Sequence, residues 1–262
     1  TMIIGFLGTG AISEAIIRGL CDKANYSDRI LISQRSPERS TKLALDYDQI
    51  EVVNENALLV EKSDWVIVAV LPDQVEAALG KLTFRSDQKV ISLAAGISLA
   101  RLSEWVFPCT KVSRAIPMPP IEFGMGPVAL CPQDPSIEAL FGQIGTAVSV
   151  SDEEQFNLFG AASALMADYF DQVATVSSWM ESHAMEPDTA VRYTTSLYHA
   201  LASLTLGQTP DALKSMSDEC LTPGGLNEQF LRTRMASGSC DSLKTGLDDI
   251  LARLESSTGS TS

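Results

Sequence analysis

Apolar residues along the first half of the chain fall into short, unbroken runs separated by segments with helical spacing. Met2–Leu7 is the first such run, and Ala11–Leu20 then carries the i, i+3, i+4 pattern of an amphipathic helix. Arg29–Ser33 predicts a second strand. Pro37–Asp46 predicts a helix, with Pro37 suited to its first position. Glu51–Val53 is a short third strand and Asn56–Val60 the start of a helical turn. Trp65–Leu71 has no polar alternation at all, so the pattern predicts a strand covered on both faces, as at the centre of a parallel sheet. Strands at Lys89–Leu93, Lys111–Arg114, Gly126–Cys131 and Ala147–Val150 complete the set, with helical Leu99–Val106 between the first two. Repeated β-α-β units predict an α/β fold, an N-terminal Rossmann-type doubly wound parallel sheet.

Beyond Ser151-Asp152-Glu153-Glu154, a helix start with an acidic first turn, the strand signal ends. Residues from Asp152 to about Leu206 read as helix, as do Pro210–Glu219, Gly225–Met235 and Cys240–Leu254. The expected domains are therefore 1–150, which binds a dinucleotide, and 151–255, all-α. Residues 256–262 form a polar, disordered tail. The apolar Tyr193–Leu206 needs partners on more than one face, which a homodimer or higher homo-oligomer would supply.

Composition narrows the chemistry. The 262 residues carry a formal net charge of -14, which argues against nucleic acid or an anionic membrane as partner. Any bound anion must be held by local donors. Five scattered cysteines without a C-x-x-C pair fit reduced thiols, and His183 and His199 are too far apart for a metal-binding helix, so no metal is expected. Thr1 stands ahead of Met2, which reads as the initiator. With no basic leader segment and no apolar stretch of membrane-spanning length, the expected location is the cytoplasm.

The first strand runs into Gly8-Thr9-Gly10-Ala11-Ile12-Ser13 and then a helix, a G-x-G-x-x-G pattern with Ser in the third place. The first glycine permits a tight turn and the second lets a pyrophosphate approach the backbone at a helix N-terminus. NAD readers carry Asp or Glu at the end of the second strand. This chain has Ser33-Gln34-Arg35-Ser36, where Arg35 with two hydroxyls would hold a 2′-phosphate, so NADPH is favoured over NADH.

These features together resemble pyrroline-5-carboxylate reductase, a family that closes proline synthesis. Phe6-Leu7-Gly8-Thr9-Gly10 is similar to the family's opening, and Asn56 stands where the family has an asparagine near the cofactor ribose. Ala69-Val70-Leu71-Pro72 looks like the family's A-V-K-P turn. Ser92-Leu93-Ala94-Ala95-Gly96-Ile97 matches S-x-x-A-G-I, and Arg114–Pro120 is similar to R-x-M-P-N-x-P. Leu221-Thr222-Pro223-Gly224-Gly225 matches the T-S-P-G-G stretch of the substrate pocket. The resemblance implies NADPH-dependent reduction of 1-pyrroline-5-carboxylate to proline by an oxidoreductase acting on CH–NH. Thr222, Gly224, Gly225 and Asn227 would then hold the substrate, with backbone N–H groups among them as anion donors. Residues 69–72 and Ala94, Ala95 and Gly96 would lie along the cofactor.

The departures lie toward the substrate: Leu71 replaces the lysine of A-V-K-P, Met118 an asparagine, and Leu226-Asn227 a pair such as T-T. Ser163-Ala164-Leu165-Met166-Ala167-Asp168-Tyr169 keeps little of the family's S-G-S-G-P-A-Y, and Asp168 is a further polar candidate there. A related NADPH-dependent imine or ketone reductase with a different substrate, and a non-catalytic dinucleotide-binding regulator, both stay open. A β-hydroxyacid dehydrogenase is disfavoured, because no lysine lies between Lys111 and Lys214 to serve as its acid/base.

Overall fold

The computed structural model describes residues 2–259, and side chains through 256. The first half forms one eight-stranded sheet, β1 (Ile4–Leu7), β2 (Ile30–Ser33), β3 (Ile50–Val53), β4 (Trp65–Val68), β5 (Lys89–Ser92), β6 (Lys111–Ile116), β7 (Pro127–Cys131) and β8 (Thr146–Ser149), in the order β3-β2-β1-β4-β5-β6-β7-β8. The first six strands pair in parallel. Between them run α1 (Ala11–Asp22), α2 (Pro37–Asp46), α3 (Asn56–Lys62), α4 (Val75–Leu79) and α5 (Leu99–Trp105). The order reverses direction beside β1, and the carboxyl ends of β1, β2 and β4 meet at that switch point.

Burial follows the pleat. On β4, Trp65 and Ile67 join a core formed with α1 residues Ile16, Ile17 and Leu20, while Val66 and Val68 face the opposite core with Leu59, Val60, Val75 and Leu102. A run buried on both faces has no polar side, which is why Trp65–Val68 shows no alternation. The strand ends at Val68, and Ala69–Leu71 already leaves the sheet.

One pairing departs from an all-parallel sheet: β6 and β7 are antiparallel, with Arg114 opposite Cys131 and Ile116 opposite Ala129. The link 117–126 carries only a 3-10 turn at Pro119–Phe123, too little for a parallel crossover. The chain then passes through α6 (Pro135–Phe141) to β8, parallel to β7. α4 and α6, one and two turns long, are the helices that the apolar spacing leaves unassigned. Asp134-Pro135, an N-cap followed by proline at the first position, is the local signal for α6.

The stretch from 152 to about 206, expected as helix, is three helices: α7 (Glu153–Ser163), α8 (Leu165–Ser182) and α9 (Pro187–Thr205). The second break has a visible cause. Ala184 adopts φ 66°, and Glu186 caps α9 by accepting from the Asp188 and Thr189 amides ahead of Pro187. α10 (Pro210–Glu219), α11 (Leu226–Ala236) and α12 (Ser239–Gly259) follow.

The chain divides into two compact units, but not at residue 150. The first runs to Gly160 and takes in the end of α12 from Leu251; the second is Ala161–Ile250. Phe156 packs with Ala129 and Cys131 on the sheet, and a Cβ at Gly160 would lie 2.9 Å from Leu254. The start of α7 is thus part of the sheet's core, whatever its helical character. Of the expected disordered tail, residues 256–259 continue α12, and residues 260–262, like Thr1, lie outside the described residues.

Asp134 accepts from the Ser136 and Ile137 amides and from the Lys89 ammonium, and so joins α6 to β5. Burial opposes its ionisation, but Lys89 and the Ser136 and Ile137 donors outweigh that and hold its carboxyl down at about 2. Asp134→Ala is expected to cost about 1–2 kcal/mol at pH 7. Because the folded-state value is depressed, that contribution is complete above the ordinary carboxylate value and lost as pH falls toward about 2. Thermal unfolding across that window should show the gap between wild type and variant closing below about pH 4.

Candidate functional site

Gly8 follows β1 with φ 100°, and a Cβ there would sit 2.6 Å from the Ala69 carbonyl oxygen. Its N–H donates to Ser33 Oγ at 2.9 Å, and its carbonyl accepts from Ser13 Oγ at 2.7 Å. Thr9 Oγ1 donates to the Ser33 carbonyl at 2.6 Å. The turn is therefore held by β2, by β4's exit and by α1. Ser in the third place of the glycine pattern serves a purpose, since its hydroxyl closes the turn from inside.

Gly10 differs. It is the N-cap of α1 in extended conformation, and a Cβ built on it would meet nothing within 4 Å. No protein atom demands a glycine there. The space beside it and the first-turn amides, which an α-helix leaves without internal acceptors, form a cradle for an anion. Gly10, Ala11 and Ile12 present that start of α1.

A cleft of about 430 Å³ lies beside the turn, lined by Gly8, Ser33, Gln34, Arg35, Asn54, Asn56, Val70 and Ala78. It gathers candidates from four separate stretches of sequence, Gly8, Ser33 with Arg35, Asn56 and Val70. Arg35 is exposed and donates to Gln74 Oε1 of the 3-10 turn Pro72–Gln74, so the β2–α2 and β4–α4 loops meet. Leu71, at the start of that turn, is 62% exposed. Ala94, Ala95 and Gly96 follow β5 on the same carboxyl edge, with Ala94 buried and Gly96 at φ 71°.

The two hydroxyls stand differently. Ser33 is buried and its oxygen accepts from Gly8, so it supports the turn while the residue also lines the cleft. Ser36 lines a different hollow, with Glu14, Pro37, Glu38, Arg39 and Lys42. Arg39 is the residue that sequence reading missed. Its Nε donates to Glu14 Oε2 at 2.6 Å and its Nη1 to the Thr9 carbonyl at 3.5 Å. Burial pushes the Glu14 carboxyl up, but hydrogen bonds from Arg39 and Arg18 outweigh it and leave it below the ordinary value. The signal was a second cation four residues after Arg35, in the first turn of α2.

In the second unit, Thr222, Gly224, Gly225 and Asn227 come together in the turn between α10 and α11. Gly224 takes φ 73° and donates to Glu228 Oε2 at 2.7 Å. Gly225 donates to the Thr222 carbonyl at 2.7 Å, and Asn227 Nδ2 to the Cys220 carbonyl at 3.2 Å. The two glycine amides expected as anion donors are thus engaged inside the turn. The α11 first-turn amides, beginning at Leu226, are the donors that helix geometry leaves over. Asp168 on α8 accepts from Gln172 at 2.6 Å, one turn along its own helix.

Comparisons with known proteins bear on the family and the fold. Residues 3–96 match the family described as NADP oxidoreductase, coenzyme F420-dependent. The pyrroline-5-carboxylate reductase of Pseudomonas aeruginosa is 27% identical over 247 residues, covering 90% of this chain and 89% of that protein. The chain is similar to pyrroline-5-carboxylate reductases along most of its length. The solved 1-pyrroline-5-carboxylate reductase of Streptococcus pyogenes aligns with a TM-score of 0.81 at 24% identity, over 97% of this chain and 98% of that one. The pyrroline carboxylate reductase of Plasmodium falciparum, solved with NADP bound, aligns at 0.83 and 16% identity over 99% of both chains. These likenesses show the same fold, sheet and helical region together. Among the described residues, no helix is long and apolar enough to cross a membrane.

The two glycines should respond differently to one methyl group. Gly8→Ala is expected to destabilise by at least about 2 kcal/mol, from positive φ and the clash with Ala69. Gly10→Ala should cost less than about 1 kcal/mol. Chemical denaturation of both variants checks the contrast.

Proposed function

We propose that this chain reduces the cyclic imine 1-pyrroline-5-carboxylate to proline with NADPH. The observation that carries the reading is the Gly8–Gly10 turn at the sheet's switch point, beside a cleft that has Arg35 where an NAD reader would have a carboxylate. Relatedness along nearly the whole chain supports it. The residues present fit a dinucleotide: the space at Gly10 admits a pyrophosphate, and Asn56 lines the cleft where a ribose would lie. When bound, NADPH supplies the hydride that the imine carbon accepts.

The chain's own tasks are binding, orientation and exclusion of water. The α1 first-turn amides hold the pyrophosphate. Arg35 exchanges the neutral Gln74 oxygen for a 2′-phosphate, a charge-assisted bond of greater strength. Val70, Leu71, Pro72 and Ala94 to Gly96 offer backbone and small side chains along the nicotinamide. The α10–α11 turn anchors the substrate carboxylate, with Thr222 and Asn227 as its polar side chains and the remaining amides at the start of α11 as donors. A pyrroline nitrogen carries its own proton from solution, so no strong enzymic acid is required.

The helical unit fits a homodimer. Tyr193, Leu197, Leu201 and Leu204 form one stripe on α9 and are 42–60% exposed in the single chain. An exposed apolar stripe of that length favours association with a second copy.

Turnover of NADPH with 1-pyrroline-5-carboxylate tests the reading directly; binding of NADPH without turnover would refute it and favour a regulator or another substrate. Arg35→Ala should weaken NADPH about tenfold or more and NADH less than about twofold. Equal effects on both would remove Arg35 from the 2′-phosphate. Asn227→Ala should raise the substrate KM and leave the NADPH Kd unchanged; unaltered kinetics would exclude Asn227 from the pocket.

A further inference from the structure

Arg114, on β6, is 3% exposed. Its Nη1 donates to Glu153 Oε1 at 2.6 Å, and its guanidinium lies 4.7 Å from the centre of the Phe156 ring. Glu153 and Phe156 stand three residues apart at the start of α7, on one face of the helix. They meet the guanidinium at its edge and over its plane. Among the described residues, Arg114 Nε is buried without a hydrogen-bond partner. A buried guanidinium left incompletely satisfied against a half-buried carboxylate is poor at stabilising a fold, since apolar packing of similar volume does so at least as well.

The same Glu153 oxygen accepts a second bond, from the Leu99 amide at 2.9 Å. Leu99 opens α5, directly after the turn Ala94–Ser98. One carboxylate oxygen therefore ties three segments at the carboxyl edge of the sheet: the β5–α5 loop, β6 and α7. The register places Ser92 beside Arg114, and Ser92 Oγ accepts from the Ala94 amide at 3.2 Å, so the loop is held at both ends.

We infer that Glu153 is a positioning residue for the nicotinamide, clamping the Ala94–Ser98 loop through the Leu99 amide while Arg114 fixes the carboxylate. This rests on the reading of that loop as the nicotinamide's support. Glu153→Ala removes the clamp. Glu153→Gln keeps an acceptor for Leu99 and removes only the charge facing Arg114.

Four measurements on the full-length protein test the idea: hydrogen exchange at the Leu99 amide, fluorescence of bound NADPH, steady-state kinetics with 1-pyrroline-5-carboxylate, and thermal unfolding. Glu153→Ala should speed exchange at Leu99 at least about tenfold, lower the emission of bound NADPH, and cut kcat about tenfold, with the NADPH Kd within about twofold. Glu153→Gln should stay within about threefold of wild type in kcat and close to it in exchange. The exchange and fluorescence results decide the inference even if wild type turns over no pyrroline, an outcome that would count against the proposed substrate alone. Unchanged exchange and fluorescence in Glu153→Ala would overturn it. Equal losses in the Gln and Ala variants, or losses that follow only the fall in thermal stability, would overturn it as well.

Discussion

The carboxyl edge of the sheet depends on how closely two strand ends approach. The exit of β4 comes so near the end of β1 that the position facing it admits no side chain: a Cβ at Gly8 would lie 2.6 Å from the Ala69 carbonyl. That contact turns the chain with positive φ, aims α1 at the switch point and leaves the space beside Gly10 open. Ser33 and Ser13 complete it by taking up the Gly8 amide and carbonyl.

The electrostatics are local. A chain with net charge -14 does not attract an anionic ligand from a distance. Arg35 and Arg39 stand at the β2–α2 loop and the start of α2, where a phosphate-bearing ligand would need them. Of the two, Arg39 is already held by Glu14, whereas among the described residues Arg35 has the neutral Gln74 amide oxygen as its acceptor. The less committed cation is the one at the cleft. In the second unit the opposite holds, since Glu228 and Thr222 take up the glycine amides of the α10–α11 turn. The sites thus differ in kind: a cleft with open donors in one unit, and an internally bonded turn in the other.

At the far side of the sheet, Glu153 and Phe156 belong by sequence to the helical half and by packing to the first. Arg114 is the reason. Once buried, its guanidinium requires a carboxylate and tolerates an aromatic face, and the first turn of α7 supplies both from positions three residues apart. A boundary drawn from loss of strand character falls too early, because the sheet's core needs that first helical turn as a cover.

Much of the first unit was legible in the chain itself. Runs such as Trp65–Val68 and Ile30–Ile32 lack polar positions because both faces are covered, and a single local property of that kind survives in sequence. The glycine turn was legible for the same reason, since its backbone demands glycine at a fixed distance from strand and helix. The α2 start at Pro37 and the α10 span likewise follow local rules of proline and capping. What only the tertiary structure decided were the relations between distant segments. These include the antiparallel turn-back of β7, the burial of Ser33 beneath Gly8, the pairing of Arg39 with Glu14 and the joining of Leu99 to Glu153. Each depends on two stretches that sequence spacing does not relate, and a hydrogen bond between them leaves no periodicity for the pattern of residues to carry.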